Sequence, residues 1–158
     1  MIDRRHIGTA LPPFTVDVER GRLRFFAQAT GQTDSVYRDD AAARAAGHPG
    51  LPVPPTYLFC LEMDGPNPAA IRELLGLDYR RLLHGEQGFS FHRLAFAGDR
   101  LTFRQRIEDI YDKKGGALEF IVRCTEVTNQ RGEPVAELRT VTVYRNPVPS
   151  AAHTGAPA

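Results

Sequence analysis

Apolar and polar positions follow one rhythm in the first half of the chain and another in the second. Residues 13 to 18 (PFTVDV) alternate weakly and predict a short strand at a sheet edge. Leu23, Phe26, Ala27 and Thr30 recur at helical spacing and predict a helix over 19–30, with Asp17 as its N-cap and Gly31 as its stop. A second helix fits 39–46 (DDAAARAA), acidic at its start and followed by Gly47. The Gly- and Pro-rich stretch 47–55 reads as an ordered loop, and Pro55 suits the first turn of the helix after it. Tyr57, Leu58, Phe59, Cys60, Leu61 and Met63 make that helix apolar on all sides, the pattern of a buried helix. A further helix fits 67–75.

The second half has the period of a β-meander. Turn signals stand at Gly98-Asp99, Gly115-Gly116 and Arg131-Gly132. They separate runs at 86–96, 100–112, 117–129 and 134–145. Alternation puts Leu101, Phe103, Ile107 and Tyr111 on one face of the second run, opposite Arg104, Arg106 and Glu108. In the third run it puts Leu118, Phe120, Val122 and Cys124 on one face. The last run changes phase between Ala136/Leu138 and Val141/Val143, which predicts a bulge there. The fold class that follows is α+β: an antiparallel sheet curled around one apolar helix.

Composition narrows the function classes. The 158 residues suit one domain, read as 1–146 followed by a small, polar, proline-containing tail at 147–158 that holds His153. A formal net charge of +1 gives no electrostatic reason to expect nucleic acid or a membrane as partner. No apolar run reaches the ~20 residues of a membrane helix, and the opening MIDRRHIGTALPPF lacks a signal-peptide core, so a cytoplasmic location is expected. Cys60 and Cys124 lie in apolar segments and read as reduced core thiols. His48, His84 and His92 follow no metal-ligand spacing, and GxGxxG, P-loop and GxSxG patterns are absent.

The stretch ATGQTDSVYRDDAAARAAGHPGLPVPPTYLF, followed by LLHGEQGFSFHRLAFAGDRLTF, resembles the MaoC-type hydratases and dehydratases and the (R)-specific enoyl-thioester hydratases. It is most similar to their N-terminal-type dehydratase domains, including the non-catalytic subunit of two-chain acyl-carrier dehydratases of fatty-acid synthesis. Gly31 takes the signature Gly, Asp34 the Asn, Ser35 the Pro and Val36 the aliphatic residue, while Pro55 falls on the Gly that opens the central helix. The resemblance implies a single hot-dog fold and a lyase-type activity on an acyl-thioester of coenzyme A or acyl carrier protein, with no cofactor.

The departures carry the functional reading. The family's catalytic Asp and His stand here as Gln32 and Tyr37. Gln has no proton to exchange at neutral pH, and a tyrosine titrates ordinarily near ~10. The family's helix-opening Gly offers a backbone N–H to the thioester oxygen, and Pro55 has none. By resemblance, such a chain is the substrate-binding half of a heteromer whose MaoC-type partner supplies the catalytic pair, and the chain alone is inactive. A homodimer is the other assembly expected.

Other residues carry weaker signals. His48, and the pair His84 and Glu86 on one strand face, are fallback acid/base candidates. Tyr57, Leu58 and Leu61 are candidates for an acyl tunnel, with plain core as the competing reading. Arg80 and Arg81 suit the phosphates of coenzyme A or of a carrier arm, and also suit ordinary surface. Asp34 reads as a turn cap. Two other functions remain open at this point: a self-sufficient hydratase or thioesterase, the latter with Glu62 or Asp64 as its carboxylate, and a non-enzymatic acyl-binding module.

Overall fold

A long, curled antiparallel sheet surrounds one short helix in the computed structural model, which describes residues 1–147. The tail expected at 147–158, with His153, lies outside the described residues except for Pro147. The elements in order are β1 (Phe14–Asp17), α1 (Arg20–Ala29), α2 (Asp40–Ala45), α3 (Tyr57–Met63), α4 (Ala70–Leu74), β2 (Leu82–Phe91), β3 (Arg100–Lys113), β4 (Leu118–Thr128) and β5 (Pro134–Arg145). The five strands form one sheet in the order β1-β3-β4-β5-β2. The long strands β3, β4 and β5 follow one another as hairpins, while β2 returns to the far edge beside β5.

Local signals act as expected in most places. Gly31 ends α1 with φ at 69°, a value glycine adopts without steric cost. The Asp39 carboxylate caps α2 by accepting from the Ala42 N–H, and Asp34 caps the turn Ser35–Tyr37 through the Val36 N–H. Asp17 does not cap α1: it closes β1 and pairs with Arg100 at 2.9 Å, and Glu19 holds the cap position without a side-chain bond. Cys60 is half-buried, Cys124 is buried, and both thiols are free. No helix among the described residues is long and apolar enough to cross a membrane.

Bulges reset which side chains face inward. An extra residue at Glu108 lets Ile107 oppose Arg123 while Asp109 opposes Val122. Ile110 therefore turns inward, and Tyr111 goes to the outer face, where it stacks on Phe120 at 4.8 Å. The expected shared face of Ile107 and Tyr111 is thus broken. On β4 the side toward α3 carries Ile121, Arg123, Thr125 and Val127, so Phe120, Val122 and Cys124 line the outer face instead. The bulge expected between Leu138 and Val141 is absent, for β5 runs in unbroken register against β4 from Ala136 to Arg145. The phase change in its apolar residues has another cause: Thr140 and Thr142 face inward while Val141 and Val143 face out. The irregularity lies on β2, where Gly85 is extra between His84, opposite Thr142, and Glu86, opposite Val141.

The core is split. One cluster joins Tyr57, Leu58 and Leu61 of α3 to Leu101, Phe103, Val127 and Leu138 of the sheet. A second, smaller one joins Leu77, Ile107, Ile110, Ile121 and Tyr144, with Ile71 and Leu75 packed against it. Between them the inner sheet face carries a polar band: Gln105 opposite Thr125, and Arg123 opposite Thr140.

Candidate functional site

A cavity of about 460 Å³ opens where α3 and α4 lie over the inner face of the sheet. Its position follows from helical geometry. Phe59 and Met63 lie one turn apart on the side of α3 turned from the core, and both line the cavity. Ile71 of α4, Leu77, Leu82 and Ile121 extend the apolar wall. Arg123, Thr140, Thr142 and His84 add polar groups to it, and Tyr79 and Arg72 complete the lining. An apolar cavity with a few converging polar groups is the usual form of a small-molecule site.

Two of these polar groups, Arg123 and Thr140, belong to one buried network. Glu62, on α3, is 2% exposed. Its Oε2 accepts from Arg123 Nη2 at 2.5 Å, and its Oε1 accepts from Gln105 Nε2 at 3.0 Å and from the Thr125 hydroxyl. Arg123 Nη2 also donates to Thr140 Oγ1 at 3.2 Å, and that hydroxyl donates to Gln87 Oε1 at 2.9 Å. Arg123 Nε, equally buried, finds no acceptor among the described residues. Burial pulls the Arg123 guanidinium below its ordinary value, and the Glu62 charge pushes it back up. An arginine remains charged in either case.

The residues singled out from sequence distribute unevenly around this site. Tyr57, Leu58 and Leu61 are 4%, 2% and 1% exposed and pack in the first core cluster. They do not line the cavity, because they occupy the opposite side of α3 from Phe59 and Met63. His84 does line it, with its ring edge-on to Phe59 at 5.3 Å. Glu86 does not share that face. The Gly85 bulge rotates it to the outer side, where it accepts from Arg139 Nη1 at 3.0 Å, so His84 and Glu86 form no acid/base couple. His48 is half-buried in the loop before α3, with its ring 5.7 Å from that of Phe96, away from the cavity lining.

Arg80 and Arg81 follow Tyr79 but are held elsewhere. Arg80 is bound to its own turn through Asp78 at 2.8 Å. Arg81 donates to the Arg145 carbonyl at 2.7 Å and lies 4.5 Å over the Tyr144 ring. Gln32 Oε1 accepts from the Asp34 N–H at 3.0 Å, so its side chain shapes the turn before Tyr37. Tyr37 is half-buried at the end of that turn, and Pro55 is exposed two residues ahead of α3. None of these three residues lines the cavity. Asp64, one of the two thioesterase candidates, is clamped by Arg22 at 2.5 and 3.0 Å. Glu62, the other, has both oxygens occupied by Gln105, Thr125 and Arg123.

Sequence reasoning missed Arg123. The available signal was a lone cation inside the apolar run FIVRCT, which the face assignment of β4 had turned to the outside. A second concavity of about 520 Å³, lined by Pro49, Arg93, Phe96, Asp99 and Arg131, lies by the β4–β5 turn. Its polar groups are satisfied locally: Asp99 accepts from Gln130 and from the Phe96 N–H, and Arg131 pairs with Glu133.

Residues 5–138 match the family described as FAS1-like, dehydratase domain region. A UPF0336 protein of Saccharopolyspora erythraea is 37% identical over 91% of this chain and 92% of its own length. A UPF0336 protein of Streptomyces coelicolor is 37% identical over 91% of this chain and 95% of its own. Among solved structures, the HadBC (3R-hydroxyacyl-ACP dehydratase) complex of Mycobacterium tuberculosis superposes with a TM-score of 0.73 at 26% identity, covering 87% of this chain and 96% of that one. A MaoC-like dehydratase superposes with a TM-score of 0.79 at 25% identity, covering 89% of this chain and 42% of that one. With its five-stranded sheet wrapped on α3 and a match to the family over residues 5–138, the chain belongs to the FAS1-like dehydratase domain family and has the MaoC-like hot-dog fold.

Proposed function

We propose that the chain is the substrate-holding subunit of a two-chain (R)-specific enoyl-thioester hydratase or (3R)-hydroxyacyl-thioester dehydratase. The observation that carries this reading is a formed apolar cavity beside α3, combined with Gln32, Tyr37 and Pro55 where the resemblance puts the family's catalytic residues. The reaction adds water across a trans-2-enoyl thioester, or removes it from a (3R)-hydroxyacyl thioester, with no change of oxidation state overall. It needs a base for the water, an acid for the α-carbon and a donor for the enolate oxygen. Gln32 supplies neither a base nor an acid, and Pro55 supplies no N–H. A second hot-dog chain with an intact Asp/His pair therefore performs the proton transfers. This chain holds the acyl group against Phe59, Met63, Ile71 and Ile121, by apolar burial. The thioester is carried on coenzyme A or acyl carrier protein. The HadBC complex, described as a 3R-hydroxyacyl-ACP dehydratase, supports a paired assembly.

The test is hydration of crotonyl-CoA by the purified chain, by a MaoC-type catalytic partner and by the two co-expressed, followed through loss of enoyl absorbance. The expected result is no turnover by this chain alone and a rise in rate or chain-length range when the two are combined. Turnover by the lone chain that is abolished in Tyr37→Phe would overturn the reading.

A further inference from the structure

We propose that the cavity beside α3 holds acyl chains only up to a fixed medium length, and that Leu77 is the residue that sets the limit. This deepens the proposed function and rests on the cavity being the acyl site. Its direction can be read from the strand register. Rows of opposed residues cross the inner face of the sheet from β2 to β3. One row runs His84, Thr142, Ile121, Ile110, and the next runs Gln87, Thr140, Arg123, Ile107. Along the first row His84 is exposed at the free sheet edge and Thr142 is half-buried, while Ile121 and Ile110 are 2% and 3% exposed. In both rows the β5 and β4 residues line the cavity and the β3 residues do not. The space therefore opens at the β2 edge, crosses β5 and β4, and stops at β3. Leu77 comes down at that stop: it is buried, lines the cavity, and packs in one cluster with Ile107 and Ile110.

The register also gives the depth. From β2 to β4 is two strand spacings, about 10 Å, room for about eight carbons of an extended chain. Gln32, Tyr37 and Pro55 do not line the cavity, so the thioester and the carbons that react lie outside its mouth. Adding those few gives an acyl chain of about twelve carbons. Beyond that length further methylenes find no apolar surface to cover, and binding stops improving. The end wall is wholly apolar, so the methyl end of a chain that just reaches it leaves no polar group without a partner.

The experiment is calorimetric titration of the full chain with octanoyl-, dodecanoyl- and hexadecanoyl-CoA, each below its micelle concentration. Binding should tighten at least tenfold from octanoyl to dodecanoyl, since each buried methylene is worth about threefold. From dodecanoyl to hexadecanoyl it should stay within about threefold. In Leu77→Ala the end wall recedes, and hexadecanoyl-CoA should bind at least tenfold more tightly than dodecanoyl-CoA. In Leu77→Phe the wall advances, and the gain from octanoyl to dodecanoyl should be lost. That second variant reads the same limit where Leu77→Ala does not fold. Tightening that continues to hexadecanoyl in the parent, or a plateau that stays in place in every Leu77 variant that folds, overturns the inference and leaves the acyl-site reading standing. If no acyl-CoA binds, both readings fall.

Discussion

Removing Arg123 tests the physics of the polar band most directly. Glu62 is 2% exposed and its carboxylate depends on three donors, only one of which is charged. Arg123→Met leaves that carboxylate facing Gln105 and Thr125 alone. Breaking a buried pair from one side costs about 3–5 kcal/mol. Against a typical domain stability of ~5–15 kcal/mol, that is a large share of the total. Glu62→Met strands the guanidinium instead and should cost about as much. The double substitution removes both charges and leaves only the Gln105 and Thr125 donors without their acceptor, a loss of about 1 kcal/mol each. The double variant should therefore be more stable than either single one, by roughly 2 kcal/mol, so the cycle is strongly non-additive. Urea unfolding followed by circular dichroism measures all four proteins. Single substitutions that each cost under ~1 kcal/mol, or costs that simply add, would refute the reasoning.

Three other perturbations probe separate parts of the molecule. In Gly85→Ala, the new Cβ would stand 2.9 Å from Val143 Cγ2 and 3.1 Å from the Val141 carbonyl, so the β2 bulge should lose about 1–3 kcal/mol in a urea titration. Ile71→Trp should fill the cavity from the α4 side and weaken dodecanoyl-CoA binding at least tenfold in calorimetry, with little change in melting temperature, because Ile71 is only half-buried. The side-chain bond from Asn129, and then that from Arg131, hold the Glu133 carboxyl below its ordinary range in the β4–β5 turn. A depressed carboxyl stabilises the fold above its unfolded value and loses that contribution as pH falls through the folded one. The melting temperature should thus drop less steeply in Glu133→Gln than in the parent as pH falls from about 5 to about 2.

Much of the architecture was readable from periodicity, because period and turn chemistry are local. The α1 and α2 spans, Gly31, the Asp34 cap and the strands β3, β4 and β5 all follow from side chains within a few residues of one another, while β2 runs over Leu82–Phe91 and not the expected 86–96. Facing was less readable. On β4 both faces carry apolar residues, and alternation alone cannot say whether Val122 or Ile121 meets the helix. Bulges compounded this: Glu108 moved Tyr111 outward, and Gly85 separated His84 from Glu86, though no local rule places an extra residue at either point. The site suffered accordingly. His84 was chosen as a partner for Glu86 and lines the cavity without it, whereas Tyr57, Leu58 and Leu61 were chosen from a helix that looked uniform and turned out to be two-sided. The Glu62–Arg123 contact joins residues 61 positions apart, a relation that exists only once the sheet has curled over α3.

The division of the interior into two apolar clusters bears on how the molecule can breathe. A continuous oily interior transmits any disturbance throughout, but here a hydrogen-bonded seam separates the large cluster from the small one. The seam is directional and anchored on four strands and a helix, so it should hold while α4 and the Leu77 segment lift. Amide protons of Ile71–Leu77 should then exchange with deuterium well ahead of those in β3 and β4. A guest could enter sideways beneath that hinged roof, with the far half of the domain undisturbed.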